Sequence, residues 1–494
     1  MQRRQALSLI AASPALAQAQ GAAKKPPSSP PPPMSAASAA AITELAGDVN
    51  LIAETLATLH PGLLRYNAQI QIDATMTSLK RSFAGAPDLT QRFLVLSRFL
   101  SMLKCGHSYA NFFNQKREVQ QALFDKRSRL PFSMRWVGEG MFVTSEQENL
   151  PRGTRVGAIN GVPVRTMLQA LLPYTRADGN NEAKRRNLLN LCGRDRYEFF
   201  DVFHGLVYGE PPGGVFRLDV KTPEGKISVV EVPALTTAER HAQLPLVADD
   251  APLWDWRMTD QGVAVLAMPS WALYNSKWDW QAWLAEKLDA FAGDDAAKGL
   301  VVDVRGNEGG LDCGNPILER FLKADSALPL RRLVRYQKTP PHLNKVLDTW
   351  DESFRDWGDK AKRFDDRFLA LPAGETTVKP KGTRIDKPLV LLTDAANSSA
   401  TFVFAQRVKA SGAGKLVGEA TGGNRRGING GAFFFVRLPA SGLEFDLPLV
   451  GTFPLQPAPD AGIEPDVKVE VSAVDIATGI DAQRERALAL AKGG

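Results

Sequence analysis

Leu391–Gly423, LLTDAANSSATFVFAQRVKASGAGKLVGEATGG, is the stretch on which the reading of this chain turns. The apolar run Leu389–Leu392 is short and lies between Pro388 and Asp394, which predicts a buried strand. Ala400, Phe404 and Val408 then recur every four residues, the period of one helix face, and Ser411-Gly412 ends the run. Ser399 is thereby placed in the first turn of a helix, where free backbone N–H groups and the helix dipole favour negative charge. An acyl-transfer enzyme needs that environment beside its nucleophile, because the tetrahedral intermediate carries an oxyanion. The same geometry suits an N-cap, and Asn397, Ser398 and Ser399 are all capping residues. Taken alone, this stretch leaves both readings open.

A second stretch bears on the choice. Gly299–Gly310, GLVVDVRGNEGG, runs from β-branched residues into a glycine-rich loop, which can bring several N–H groups close to a ligand. It is not a dinucleotide fingerprint, since the G-x-G-x-x-G spacing and its acidic partner are missing. The two stretches together resemble the catalytic core of the S41 serine peptidases, the family of the tail-specific processing proteases, the tricorn core and the retinoid-binding repeats. That pattern is D-x-R-G-N-x-G-G, then S-A-x-E-x-F-A, then V-G-E-x-T-x-G. It is matched in order by Val302–Gly310, Ser399–Ala405 and Val417–Gly423. Asp48–Tyr66 and Lys104–Tyr109 (KCGHSY) are similar to the helical opening and the D-G-H-T segment of the tricorn-like branch. Gly262–Trp271 and Gly462–Val467 resemble the strand before the core helix and the closing G-V-x-P-D segment. The resemblance runs from about residue 40 to about 470.

It implies roles position by position. Ser399 aligns with the nucleophile. The Ala400 N–H is one oxyanion donor, with Gly309 or Gly310 supplying the other. The dyad lysine of the tail-specific proteases is replaced by Asn424, followed by Arg425 and Arg426, and none of these is a base near neutral pH. The tricorn-like branch uses a histidine instead, and His107 occupies that position. The resemblance puts the third member at Asp460, where the branch has Glu, with Glu464 as a second candidate. His107 would take the Ser399 proton and return it to the leaving amine, while the acid holds the imidazole.

The other histidines read differently. His60 precedes Pro61 and marks a helix end. His204, His241 and His342 have no matching partner. Glu308 reads either as lining the pocket or, more in keeping with its loop, as a solvent-facing acid, Asp303 and Arg305 as a local pair, and Glu419 as loop support. No H-E-x-x-H or paired C-x-x-C occurs, so neither a metal nor another cofactor is called for.

The chain ends add a compartment. Arg3-Arg4 precede the apolar run Ala6–Ala17, too short to span a membrane and followed by LAQA. This is the pattern of a cleaved export signal over residues 1–19, compatible with a twin-arginine or an ordinary secretory route, and it predicts a periplasmic or secreted protein with no integral membrane segment once the signal is removed. Residues 20–39, with KKPPSSPPPP, read as an extended linker. The formal charge of +6 includes Arg3, Arg4, Lys24 and Lys25 in a region without acids, leaving +2 on the remainder. No nucleic-acid surface is implied. Three cysteines allow at most one disulfide.

The expected fold is multidomain α+β: an N-terminal helical domain over 40–125, a PDZ-like β-rich domain over 126–235, and a C-terminal α/β core over 240–494. The PDZ-like expectation rests on Gly153–Val164, where Asn160-Gly161 separates two apolar runs. The C-terminal core is expected to be the ClpP/crotonase-like S41 core. Leu328–Pro380, with Trp350, Phe354 and Trp357, reads either as a lid or substrate wall or as a surface excursion with its own apolar cluster. The function expected is an exported serine-type peptidase acting on peptide or protein substrates through a Ser-His-acid acyl-enzyme. The alternative is an inactive protein of the same fold that binds a peptide or apolar ligand, which Asn424, Phe402 (at the acid of S-A-x-E) and Asp460 would favour. Hydrolysis of a non-peptide ester or amide by the same residues is a third possibility.

Overall fold

Strand Leu389–Thr393 is buried at every position, as a parallel strand covered on both faces should be. In the computed structural model, which describes residues 36–493 except 148, 245–247, 249 and 373–376, this strand lies inside a six-stranded sheet. The order is Val467–Lys468, Lys415–Gly418, Leu389–Thr393, Gly299–Asp303, Val263–Ala267 and Asp255–Met258. All neighbours are parallel except the last pair. The register sets Leu391 beside Val302 and Val301 beside Val265. The period of two sorts the side chains between two layers. Leu300, Val302, Leu389 and Leu391 pack with Trp271, Phe404 and Val408 on one face. Val263, Val265, Val301, Val390 and Leu392 pack with Ala487 and Ala491 of the helix Ala482–Ala491 on the other.

Glycine punctuates this core where expected. The helix Ser399–Ser411 stops at Gly412, which takes the left-handed conformation at φ +67°. Where periodicity predicts helices over Trp280–Phe291 and Pro316–Leu322, the first runs two residues further, Trp280–Gly293, and the second lies one residue earlier, Asn315–Phe321.

A second sheet is antiparallel and joins Met134–Val137, Gly140–Val143, Arg155–Ile159, Val215–Lys221 and Ile227–Pro233. Asn160 (φ +48°) and Gly161 (φ +77°) turn Arg155–Ile159 into Val162–Pro163, as an Asn-Gly hairpin turn requires. The third sheet is built on the hairpin Asn429–Arg437 and Glu444–Pro454. Residues 328–380 add Leu347–Asp348 to one side of this hairpin, and Leu330–Val334, Leu369–Ala370 and Lys362–Arg363 to the other. The segment is therefore neither a free lid nor a separate excursion: Leu330–Val334 and Leu347–Asp348 are hydrogen-bonded to the two sides of the hairpin.

Helices Gln69–Ala84, Leu89–Met102 and Arg117–Phe124 precede the second sheet. One apolar cluster runs from Phe83, Phe93 and Phe99 of the first two, through Phe203 and Val156, to Phe434 and Leu447 of the hairpin. The expected helical and PDZ-like regions thus share a core with the hairpin. The export-signal segment and the proline-rich stretch through residue 35 lie outside the described residues, and the helix Ala36–Leu59 begins within the expected linker. No described helix is long and apolar enough to cross a membrane.

Leu391 has no exposed surface and faces the layer of the helix Ser399–Ser411. Leu391→Ala should destabilise the protein by about 2–5 kcal/mol, read as a lower urea midpoint at unchanged slope.

Candidate active site

The turn ahead of Ser399 is held by its own polar side chains. Asp394 accepts hydrogen bonds from the Ala396 and Gly306 amides at 2.9 and 3.0 Å. Asn397, fully buried, accepts from the Asp394 amide at 2.8 Å and donates to the Val304 and Asn307 carbonyls. These bonds tie the ends of two neighbouring strands together. They leave Ser399 at φ +51° as the first helical residue, a conformation a non-glycine residue holds only when its surroundings impose it. Ser398 is the N-cap by position, but its side chain makes no capping bond; its Oγ donates to the Glu308 carbonyl at 3.1 Å. Capping does not account for these serines.

The glycine loop packs directly on this turn. A Cβ at Gly309 would lie 2.7 Å from the Ser399 Cβ and 2.9 Å from the Ala400 amide nitrogen. The Gly309 N–H donates to Asn307 Oδ1 at 2.8 Å, so this amide is already occupied. Next along the loop, Gly310 bridges to Trp271.

His107 arrives on the loop after the helix Leu89–Met102. Its Nε2 lies 3.9 Å from where a Gly430 Cβ would be, and its ring is 5.9 Å from that of Phe433. Burial lowers its pKa, while Asp178 raises it and Arg176 lowers it. The imidazole is thus biased towards its neutral form, the form a general base needs. Its Nδ1 is buried without a hydrogen-bond partner.

The loop itself is bolted down by His60. The Gly62 N–H donates to His60 Nδ1 at 3.1 Å, so the proton sits on Nε2, which donates to Ser108 Oγ at 3.0 Å. Burial, with Arg65 adding to it, pushes the His60 pKa down to about 3. Cys105 accepts from Asn429 Nδ2 at 3.2 Å and is a free, buried thiol.

Sequence reasoning missed a whole segment of the site, residues 175–184. Asp178, 1 % exposed, accepts the Gly106 N–H at 2.9 Å and thereby holds the residue before His107. Arg176 donates to the Gly106 carbonyl and, at 2.8 Å, to Glu308. Lys184, 1 % exposed, donates to Glu308, to the Ala396 carbonyl at 2.8 Å and to Ser398 Oγ at 3.4 Å. Glu308 is therefore an ion-pair hub, where a solvent-facing acid was expected. Burial raises its pKa, but Arg176 and Lys184 outweigh that and hold it at about 2. Its side chain still keeps 38 % exposure. Burial lowers the Lys184 pKa even against Glu308, whereas for Arg176 the carboxylate outweighs burial and the pKa rises. The lysine is the more enclosed partner, with 1 % of its side chain exposed against 11 % for Arg176.

The structure does not close the expected triad directly. Asp460 accepts from Asn424 Nδ2 and Asn180 Nδ2, both at 2.7 Å, and from the Asn180 amide at 3.1 Å. No hydrogen bond joins it to His107. Asn424, standing where the dyad lysine would be, also donates to the Asp178 carbonyl at 3.1 Å. Asp460 is thus linked to the histidine loop at one remove, as its shorter side chain would dictate. Glu464 is exposed, and its carbonyl accepts from Lys409, away from these groups. Arg305 pairs with Asp303 and Asp481, each at 2.7 Å, and Glu419 pairs with Arg135 at 2.6 Å; all are structural, as expected.

Residues 262–469 match the family model Peptidase family S41. Among solved structures, mature CPAF complexed with lactacystin is similar over 92% of this chain and 98% of its own, with TM-score 0.63 and 15% identity. Mature CPAF alone gives TM-score 0.60 at 15% identity over 92% and 97%. At this identity the likeness speaks for the fold alone. No curated protein matches the chain.

Two outcomes follow from this geometry. Gly309→Ala would push a methyl group against Ser399 at a backbone φ of +107°. Reaction of Ser399 with an active-site label should slow on the order of 100-fold, while the melting curve stays cooperative. His60 binds its proton at about pH 3 when folded and 6.5 otherwise. Between those values the unfolded state holds more protons, so acidification from pH 6.5 to 3 destabilises the fold by up to about 1.4 kcal/mol per pH unit through this group. His60→Gln, which cannot titrate, should show a shallower loss of melting temperature over the same range.

Proposed function

We propose that the chain, which matches the family model Peptidase family S41 over residues 262–469, is a serine peptidase that cleaves peptide bonds with Ser399 as nucleophile and His107 as general base. The observation that carries this is the forced backbone of Ser399, φ +51° at a helix N-terminus with Gly309 packed against it. Strain of that kind is retained where a side chain has to project into a cleft.

In the proposed sequence, His107 removes the Ser399 hydroxyl proton as Oγ bonds to the scissile carbonyl carbon. The oxyanion is received by the amides of Ala400 and Gly310, because the Gly309 amide is engaged with Asn307. The intermediate collapses, the C–N bond breaks, and the imidazolium gives its proton to the leaving amine. Water then attacks the acyl-enzyme, with His107 again taking a proton. Asp178 supplies the negative charge that most favours the imidazolium. Asp460 acts through Asn424, which orders the segment carrying Asp178.

The leader-like residues 1–19 support export to the periplasm or beyond, and the Asn160-Gly161 hairpin supports a PDZ-like second sheet. One observation favours the rival reading of a silent binding protein: His107 Nδ1 has no partner to orient the ring.

A fluorophosphonate probe decides between them. Wild type should be labelled, and Ser399→Ala and His107→Ala should not. Because burial lowers the His107 pKa, the acid limb of the labelling rate should lie below pH 6.5. Failure of folded wild type to label would point to the binding protein.

A further inference from the structure

Beside His107 stands an apolar surface that the catalytic reading does not use. On the strand Asn429–Arg437 the side chains of Phe433 and Phe435 share one face, both half-buried. Trp350, 61 % exposed, lies over them with its ring centroid 5.8 Å from each. Phe354 meets Trp350 edge-on at 5.5 Å and supports it from behind. The wall is rigidly mounted. Thr349 Oγ1 donates to the Phe433 carbonyl at 3.0 Å, Asp348 pairs with Arg437, and Leu347–Asp348 is hydrogen-bonded to the same strand. An exposed tryptophan contiguous with two further aromatic rings on a fixed support forms the kind of apolar patch that marks a binding surface.

Its position says what it binds. The wall begins at Phe433, 5.9 Å from the His107 ring, and leads away from it through Trp350. In the reaction proposed above, the imidazole must approach the leaving amine to protonate it, so the chain on the leaving side of the scissile bond passes His107. The first side chain on that side then meets Phe433 and Trp350, two flat apolar rings with no charge of their own.

We propose that Trp350, Phe433 and Phe435 form a specificity subsite for an aromatic or large aliphatic residue immediately C-terminal to the scissile bond. The subsite rests on the serine-histidine reading, since it is defined by where His107 delivers its proton.

The test uses the full chain and needs no known substrate. Short dipeptide amides that mimic the leaving fragment, Phe-Ala-amide and Ala-Ala-amide, compete with fluorophosphonate labelling of Ser399. The Phe compound should protect at about tenfold lower concentration than the Ala compound. In Trp350→Ala that ratio should fall to about one, and Trp350→Phe should restore most of it. In parallel, digestion of an unfolded protein of known sequence should give cut sites enriched in aromatic and large aliphatic residues on the C-terminal side. Labelling with equal protection by both amides would overturn the subsite while leaving the peptidase mechanism standing. A ratio that persists unchanged in Trp350→Ala would overturn it as well. No labelling of folded wild type would sink the mechanism, and the subsite with it.

Discussion

A lysine ammonium shut away from water must find its hydrogen-bond acceptors inside the protein, and the acceptors around Lys184 come from the two loops that make the site. Glu308 belongs to the glycine loop, and Ala396 and Ser398 belong to the turn that presents Ser399. Charge burial is costly unless such partners are in place, so the lysine enforces the approach of one loop to the other. Glu308 extends the constraint through Arg176 to the carbonyl of Gly106, next to His107. Three parts of the proposed centre are tied together through one shared carboxylate. The cluster serves geometry more than net stability, since replacing buried pairs with apolar groups often costs a fold little.

The same logic explains the electrostatics of the imidazole. Two cations and two acids surround His107, and their effects on its charge oppose one another. Burial then dominates and favours the neutral ring. In the proposed role of base, the ring would be kept ready by removing water and balancing charges, where a hydrogen-bonded acid would have raised its proton affinity.

What could be read from the sequence was whatever lay in one contiguous stretch. The buried strand Leu389–Thr393, the helix opening at Ser399 and its stop at Gly412 follow from local period and turn chemistry. The Asn160-Gly161 hairpin does too. Glu308 was misjudged because its neighbours in sequence are glycines and polar residues, the company of a solvent-facing loop, while its partners lie 124 and 132 residues away. Residues 175–184, TRADGNNEAK, are hydrophilic and match no motif, so within the expected PDZ-like region nothing singles them out. Nothing in a run of charges tells that one lysine will be enclosed. The role of residues 328–380 was equally hidden, since short strands that complete a sheet carry little periodic signal of their own. Asp460, expected to hold the imidazole, has its carboxylate taken by Asn180 and Asn424.

The linkages that assemble the centre are long in sequence. His107, Asp178, Lys184, Glu308, Ser399 and Asp460 are joined by contacts spanning as many as 280 residues. None of these contacts exists until both of its ends have been synthesised, and Asp460 comes last. A chain still emerging from the ribosome therefore lacks the Asp460 contacts to Asn180 and Asn424 even after the serine, the histidine loop and the glycine loop have been made. Full bracing of the proposed centre would be a property of the finished molecule, since its last tie closes only when residue 460 has been added.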